Sequence, residues 1–337
     1  MKLIIQIPCL NEAQTLAIAL ADLPKSIAGI DTIEVLIIDD GSRDDTVAVA
    51  RQNGVHHVVG FRHNQGLARA FMLGIESCLE RGADIIVNTD ADNQYNGADI
   101  EKLVRPILEG RADLVIGARP IENIAHFSPI KKLLQRLGSS VVRIVSGTDV
   151  TDAPSGFRAI SREVALALNV FNAYTYTLET IIQAGQRNMT VTSVPIRVNG
   201  DLRPSRLVRS IPSYVQRSIV TMCRIFVVYK PLRFFMAVSL VPLCTGLAVA
   251  GRFLVYFAGG NGAGHVQSLI LAAVLLIVGF LIFLLAIIAD LLSVNRRLLE
   301  ELQQKERRRA IAEKSAIHAS SVVATPQRER ALSTQPH

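Results

Sequence analysis

The chain has 337 residues, half of them hydrophobic, a formal net charge of +7 and a mean hydropathy of +0.32. This hydropathy is high for a soluble enzyme, and the excess lies in two apolar stretches beyond residue 230. The sequence has no tryptophan and no nucleic-acid-binding motif, which argues against a nucleic-acid partner. Its four cysteines lack metal-ligand spacing and are predicted to be reduced packing residues.

Short apolar runs alternate with helical segments over the first 120 residues. Strands are predicted at 3–7, 33–38, 57–59, 85–87 and 114–116, and helices at 11–23, 44–52, 67–79 and 100–108. Near-continuous apolar strands between helices are typical of a mostly parallel sheet that is covered on both faces. Met1 and Lys2 lead directly into the first strand, so no signal peptide is predicted and this α/β domain is expected to be cytoplasmic.

The fourth predicted strand is followed by two carboxylates, Asp90 and Asp92, separated by one residue. In an extended segment, side chains two positions apart share a face, so these carboxylates and Gln94 are expected to project together. Two adjacent like charges favour a bound cation, and Mg²⁺ or Mn²⁺ prefers such oxygen ligands. An ordinary strand exit with turn-capping side chains would give the same pattern, so the motif alone leaves both readings open.

Polar clusters follow four of the predicted strands, at 39–40, 63–64, 90–92 and 117–119. Ligands of open α/β sheets bind at the carboxyl ends of the strands, where these clusters would converge. The dinucleotide and P-loop glycine patterns are absent from the sequence. A cation at this edge would neutralise a departing nucleotide diphosphate, with Arg119 and the Lys131–Lys132 pair adding positive charge. Asp39 or Asp40 would accept hydrogen bonds from ribose or base, although each could equally belong to a turn.

The middle of the chain becomes basic as it approaches the first apolar stretch. Helices are predicted at 130–146, 162–168 and 178–184, a polar turn at 152–158 and a strand at 190–198. Between Arg197 and Arg233 there are eight basic residues and one acidic residue, which favours an anionic lipid surface. Apolar residues recur at helical spacing over 204–229, which predicts an interfacial segment divided at Pro212; an ordinary surface helix is the alternative.

Two apolar stretches, 234–257 and 266–288, are each long enough to cross a bilayer. Basic residues flank their outer ends, so the positive-inside rule predicts a membrane hairpin with both termini cytoplasmic. Disorder is predicted from about Ser315. The predicted organisation is an α/β domain over 1–200, juxtamembrane helices over 201–231, spans over 232–258 and 265–290, and a charged, partly disordered tail over 291–337.

Six short motifs occur in an order that resembles one enzyme family. They are Pro8-Cys9-Leu10-Asn11-Glu12, Asp39-Asp40-Gly41-Ser42, Asn64-Gln65-Gly66-Leu67, Asp90-Ala91-Asp92-Asn93-Gln94, Gly117-Ala118-Arg119 and Ser155-Gly156-Phe157-Arg158. Over about 1–198 the chain resembles the family 2 glycosyltransferases of GT-A fold, in the branch that makes dolichyl- or polyprenyl-phosphate sugars. The missing tryptophan distinguishes it from the processive polysaccharide synthases, which use a Gln-x-x-Arg-Trp motif.

The resemblance implies an inverting transfer of a sugar from a UDP- or GDP-sugar to a membrane polyprenyl phosphate. By this analogy Asp90, Asp92 and Gln94 hold Mg²⁺ or Mn²⁺, with Asp90, Asp92 and Arg119 as the catalytic residues. Nucleotide-sugar contacts are expected from Pro8, Asn11, Glu12, Asp39, Asp40, Asn64, Gly66, Asp90, Ala91 and Asp92. Contacts with the acceptor phosphate are expected from Arg119, Lys132, Ser155, Arg158, Arg203 and Arg206.

Two other functions remain open from the sequence. A sugar-1-phosphate nucleotidyltransferase shares the nucleotide-binding layout, but its glycine-rich N-terminal loop is replaced here by Pro8–Asn11. A non-catalytic membrane protein that only binds nucleotide sugars is the second alternative. Two spans per chain are also compatible with a homo-oligomer.

Overall fold

The computed structural model describes residues 1–120, 129–170, 176–200, 211–260 and 263–332. The chain divides into two compact units. The first comprises Met1–Val215 together with Gln303–His337, and the second comprises Gln216–Leu302. The sheet predicted from the sequence lies in the first unit.

Seven strands and seven helices build the main part of the first unit within the described residues. In chain order they are β1 (Lys2–Cys9), α1 (Leu16–Ala21), β2 (Thr32–Asp39), α2 (Thr46–Gln52), β3 (His57–Gly60), α3 (Leu67–Glu80), β4 (Ile85–Asn88), α4 (Ile100–Leu108), β5 (Leu114–Ala118), α5 (Pro129–Ser146), β6 (Arg158–Ser161), α6 (Arg162–Ala167), α7 (Thr177–Gln186) and β7 (Val191–Pro195).

The strands form one sheet in the order β3-β2-β1-β4-β6-β5-β7. All neighbouring pairs are parallel except those of β6, which runs antiparallel to both β4 and β5. The chain moves outward from β1 through β2 and β3, and then returns to the other side of β1 as β4. Ligands of such sheets bind where the strand order reverses, so the loops after β1 and β4 form the expected crevice.

Apolar residues on both faces of the central strands form the core, as the sequence pattern predicts. Leu3, Ile5 and Ile7 pack in one cluster with residues of β2 and β4, and Ile4 on the same strand is also fully buried. Gln6 interrupts this run and is equally buried. A buried amide requires hydrogen-bond partners, and Gln6 finds one in the next strand of the sheet, described below.

The five strands predicted over the first 120 residues are present, but three other details of the predicted fold differ. The first predicted helix is shorter, because residues 11–15 form a turn before α1. β4 ends at Asn88, so Asp90 and Asp92 lie in a turn beyond the strand and not on one of its faces. The polar turn predicted over 152–158 leads into a strand, β6, that was not predicted.

The second unit contains most of three apolar helices: α8 (Ile211–Tyr229), α9 (Pro231–Ala258) and α10 (Val266–Leu332). Pro212 stands in the first turn of α8, where its missing N–H is tolerated, so it does not divide the helix. Residues 201–210, where the predicted interfacial segment begins, lie outside the described residues.

Helices α9 and α10 are in close contact within the second unit. A Cβ added at Gly279 would lie 2.6 Å from Leu243, and one added at Gly246 would lie 3.0 Å from Leu276. In the described chain, α9 and the part of α10 over Val266–Ile311 are long and apolar enough to cross a membrane, by length and composition. Few of their apolar residues are buried, unlike those of a core helix. These two helices are features of a membrane protein.

The distal part of α10 belongs to the first unit. Its side chains contact α3, α6 and Leu168, the residue that follows α6. Arg307 donates hydrogen bonds to the carbonyl oxygen of Leu168 at 2.6 Å and to Glu76 at 2.9 Å. Arg308 pairs with Glu163 at 3.3 Å. The sequence predicts disorder from about Ser315, whereas the structure continues α10 as a helix to Leu332.

Candidate active site

The loops after β1 and β2 are joined by hydrogen bonds between side chains and backbone. Asn11 adopts a left-handed conformation, with φ of 55°. Its N–H donates to the Ser42 hydroxyl at 2.9 Å, and its side-chain oxygen accepts from the Arg43 N–H at 2.8 Å. The Glu12 N–H donates to Thr46 at 2.9 Å. These loops therefore have a defined shape at the crevice, where Pro8, Asn11 and Glu12 were expected to border a nucleotide.

Asp40 is buried and determines the shape of the loop after β3. Its two carboxylate oxygens accept hydrogen bonds from the N–H groups of Gln65, at 2.7 Å, and Gly66, at 2.9 Å. Asp39 accepts from the Ser42 N–H at 3.0 Å and is half-buried. A nucleoside bound by Asp40, as expected from the sequence, would therefore have to share its carboxylate with the N–H groups of Gln65 and Gly66. Of the two carboxylates, Asp39 is the more accessible.

Glycine is required where the loops after β2 and β3 meet. Gly41 has φ of 78°, and a Cβ at this position would lie 2.7 Å from the backbone of His63. The neighbouring Asn64 is exposed, and Gly66, with φ of 94°, immediately precedes α3. The predicted nucleotide-contacting residues of β1, β2 and β3 are thus brought to one edge of the sheet.

Asp90 and Asp92 lie close enough in the turn after β4 to influence each other electrostatically. Burial is the largest cause that raises the pKa of Asp90, and the negative charge of Asp92 is the second. The positive charges of Arg119 and Arg158 lower it, and the result is a pKa of about 7. Asp92 accepts a hydrogen bond from the Gln94 N–H at 3.1 Å, and Asn93 between them has φ of 57°. The turn therefore replaces the extended geometry that was predicted, while keeping the carboxylates together.

The donor set of this turn fits a divalent cation. The carboxylates of Asp90 and Asp92 and the amide oxygen of Gln94, all carried by this turn, are the kind of oxygen ligands that Mg²⁺ and Mn²⁺ prefer, and the negative charge of Asp92 raises the pKa of Asp90. Within the described ranges no group of three or more His, Cys, Asp and Glu side chains could hold a metal. The predicted site thus depends on two carboxylates and an amide, and other ligands would have to come from substrate or water.

Arg119 lies at the end of β5 and is held by a residue that the sequence did not single out. Its guanidinium donates two hydrogen bonds to the carboxylate of Asp152, at 2.7 and 3.0 Å, and the backbone N–H of Arg119 donates a third to the same carboxylate. Asp152 is 1% exposed and Arg119 is 15% exposed. The positive charge of Arg119 lowers the pKa of Asp90, against the larger effect of burial. Asp152 could not be identified from the sequence, because 33 residues separate it from its partner.

Arg158, which was expected to contact the acceptor phosphate, is hydrogen-bonded inside the protein. It is fully buried on β6, and its guanidinium donates hydrogen bonds to the carbonyl oxygens of Thr177 and Ser155 and to the Thr180 hydroxyl. The charged group is thus directed at two backbone carbonyls and a hydroxyl of the same chain, and direct contact with the acceptor phosphate stays a prediction. The Ser155 hydroxyl is also fully buried and has no hydrogen-bond partner among the described atoms.

Three other predicted acceptor-phosphate residues are not tested by the structure. Arg203 and Arg206 lie outside the described residues. Lys132 belongs to helix α5, and only its backbone is described. Their roles remain predictions.

The segment after β7 is hydrogen-bonded to the turn that carries Asp92. The sequence did not indicate this contact. The Asn199 N–H donates to the Gln94 carbonyl at 2.8 Å, and its side-chain amide donates to the Asn93 carbonyl at 3.0 Å. Arg197 forms an ion pair with the fully buried Asp99 at 2.8 Å. No periodicity or motif links these residues, because about 100 positions separate the two segments.

A mostly parallel sheet with one reversed strand, and an Asp-x-Asp turn at its crevice, define the GT-A class of glycosyltransferase fold. Glucosyl-3-phosphoglycerate synthase from Mycobacterium tuberculosis, solved with Mn²⁺, uridine diphosphate and phosphoglyceric acid, has a similar fold. The two align with a TM-score of 0.52 and 22% identity over 66% of this chain and 78% of that one.

Sequence comparison defines the family more closely. The Glycosyl transferase family 2 model matches residues 4–168. The chain is 30% identical over 185 residues to UDP-N-acetylglucosamine–dolichyl-phosphate N-acetylglucosaminyltransferase of Methanococcus voltae, covering 48% of this chain and 73% of that one. It is 28% identical to undecaprenyl-phosphate mannosyltransferase of Micrococcus luteus, covering 58% and 83%. The chain belongs to glycosyltransferase family 2.

Proposed function

We propose that this glycosyltransferase moves a sugar from a UDP- or GDP-sugar to a polyprenyl phosphate in the membrane, with inversion at the anomeric carbon. The observation that carries the proposal is the Asp90–Asp92 turn at the strand-order reversal, near the Arg119–Asp152 pair, in a chain that also has two membrane-length apolar helices. The names of the two family relatives support a lipid-phosphate acceptor.

The residues of the crevice have separate tasks in this reaction. Asp90, Asp92 and Gln94 would hold Mg²⁺ or Mn²⁺, which when bound stabilises negative charge on the departing diphosphate. Asn11, Glu12 and the loops after β2 and β3 would border the nucleotide. The guanidinium of Arg119, held in place by Asp152, supplies fixed positive charge for phosphate oxygens.

The acceptor needs little activation. A lipid phosphate is already largely ionised at neutral pH, so its oxygen can attack without a strong general base. The new bond forms between this oxygen and the anomeric carbon while the bond from that carbon to the nucleoside diphosphate breaks. A polyprenyl acceptor keeps its tail in the bilayer, which suits an enzyme with membrane-spanning helices in a hairpin and a cytoplasmic catalytic unit.

The test is a transfer assay with the full-length protein in detergent micelles. Polyprenyl phosphate is incubated with a panel of radiolabelled UDP- and GDP-sugars, with Mn²⁺, with Mg²⁺ or with a chelator. Label is expected in the organic phase for one donor and only with metal. The coupling constant of the anomeric proton in the product reports inversion. The absence of lipid-linked label with every donor would reject the proposed acceptor.

Asp92→Asn is the variant that tests the metal-holding carboxylate. Transfer is expected to fall by about 100-fold or more, because one charged ligand is lost while the side-chain size is kept. Asp149→Asn is the matched control, since this carboxylate is 96% exposed. Full activity of Asp92→Asn with the protein folded would reject a metal role for Asp92.

A further inference from the structure

A buried polar chain runs across the sheet and ends beside Asp90. Gln6 donates a hydrogen bond through its amide nitrogen to the side-chain oxygen of Asn88 at 2.9 Å. The amide nitrogen of Asn88 donates to the carbonyl oxygen of Gly156 and to the hydroxyl oxygen of Tyr176, both at 2.9 Å. Because the Gly156 carbonyl can only accept, the orientation of the Asn88 amide is determined.

Tyr176 is held rigidly at the end of this chain. It is 1% exposed, and its ring stacks on Phe71 of α3 with the ring centres 3.9 Å apart. The guanidinium of Arg158 lies 5.4 Å from the centre of the same ring. Its hydroxyl oxygen accepts from Asn88, so the hydroxyl hydrogen is not used in that bond and points elsewhere.

Gly156 shows how close the Tyr176 hydroxyl is to the catalytic turn. A Cβ built on Gly156 would lie 3.2 Å from both carboxylate oxygens of Asp90 and 3.2 Å from the Tyr176 hydroxyl. These groups therefore border the same small space, which only a hydrogen atom of glycine fills. The φ of Gly156 is outside the left-handed region, so the backbone does not require glycine here. The requirement arises from the proximity of Asp90 and Tyr176.

We propose that Tyr176 is a positioning residue for Asp90: its hydroxyl, oriented by Asn88, holds the Asp90 carboxylate in place across Gly156 when the cation is bound. This inference rests on the proposed metal-holding role of Asp90. Partners of metal ligands commonly fix the orientation of the ligand and so affect metal affinity. Arg158 then supports the tyrosine ring from inside the protein.

Tyr176→Phe tests the proposal by removing one oxygen atom while keeping the ring contacts with Phe71 and Arg158. The full-length protein is titrated with Mn²⁺ in the presence and absence of UDP or GDP, and free Mn²⁺ is followed by electron paramagnetic resonance. The Kd for Mn²⁺ is expected to rise by about 10-fold. Tyr256→Phe, the same change on α9, is expected to leave the Kd unaltered.

Gly156→Ala is a second variant, which places a methyl group against Asp90 and leaves the Tyr176 side chain chemically unaltered. Its methyl group would occupy the space between the two side chains, and a similar rise in the Kd for Mn²⁺ is expected. A purely structural role for Tyr176 would lower the Tm of Tyr176→Phe and leave the Kd within about two-fold of that of the unaltered protein. That result in both variants would overturn the proposal, as would failure of the unaltered protein to bind Mn²⁺.

The measurement separates this inference from the proposed function. If the Kd rises in both variants but the unaltered protein transfers no sugar to polyprenyl phosphate, the positioning role stands and the acceptor is wrong. If transfer occurs but both variants bind Mn²⁺ normally, the proposed function stands and Tyr176 has no positioning role.

Discussion

The two halves of the sheet edge use polar side chains in different ways. After β1 and β2, Asn11, Asp39 and Asp40 bond mainly to backbone N–H groups of adjacent loops, and so define the loop shapes. Beyond β4, charged side chains pair with charged side chains from distant parts of the chain, as in Arg119–Asp152 and Arg197–Asp99. Substitutions should therefore have larger and more pH-dependent effects in the second half than in the first.

The largest effect is expected for Asp152→Ala, which leaves the mostly buried guanidinium of Arg119 without its carboxylate. Breaking a buried ion pair from one side costs about 3 kcal/mol, because the remaining charge is desolvated and unpaired. Urea unfolding in detergent micelles, followed by circular dichroism, measures the loss. Transfer activity should fall as well, since Arg119 loses its orientation.

Asp149→Ala is the matched control for this substitution. Its carboxylate is 96% exposed and lies 3.7 Å from Arg143, so the stability of this variant should equal that of the unaltered protein. Equal stability of the Asp152 and Asp149 variants would contradict the distinction between the two halves.

A pH-dependent loss of stability is expected from Asp99. Burial alone would raise its pKa, but hydrogen bonds from Arg197 and Lys102 lower it to about 2 from the ordinary value of 3.8. Because the folded pKa is depressed, the stabilisation is complete above pH of about 4 and is lost as pH falls toward 2. It amounts to about 2 kcal/mol.

Comparing the acid unfolding of the unaltered protein with that of Asp99→Asn isolates this contribution. The difference in unfolding free energy between them should shrink as pH falls from about 5 to about 2. Glu101→Gln, on the exposed face of α4, serves as the control and should change the pH profile little. A difference that stays constant over this range would show that Asp99 does not titrate as described.

A smaller effect is expected for Asp40→Asn in the first half. One of the two N–H groups held by the carboxylate would face an amide NH₂, which costs about 1 kcal/mol. The KM for the nucleotide sugar should rise more than kcat falls, because the loop after β3 loses its shape. Asp45→Asn is the control, since Asp45 makes no side-chain capping bond to α2. A fall in kcat alone would indicate direct participation of Asp40 in the reaction.

Local patterns in the sequence were sufficient for much of the fold. The strands at 3–7, 33–38 and 114–116 were predictable because each is a short, mostly apolar run followed or flanked by helices. The two membrane-length helices were predictable from length and composition. β6 was missed because its four residues, Arg158–Ser161, carry no apolar run and follow a turn-like segment. Its antiparallel direction depends on pairing with β4 and β5, which no local pattern encodes.

The candidate site was predictable in its residues but not in its geometry. The Asp90–Asp92 motif follows a buried strand, so its place at the sheet edge could be inferred from the chain order. Its turn conformation could not, since that depends on bonds from Asn199, more than 100 residues away. Arg158 shows the same limit: a charged residue in a polar motif was expected to face a ligand, and tertiary packing buried it against Tyr176.

The distal residues of α10 have a practical consequence for anyone shortening this enzyme. Residues of Gln303–His337 group with the catalytic unit, and Arg307 bonds to Glu76 and to the carbonyl oxygen of Leu168. A truncated protein that stops after β7 would lack these contacts, even though every strand of the sheet is retained. A soluble fragment for crystallography or inhibitor screening should therefore include residues 303–311, either fused through a linker or added as a separate peptide.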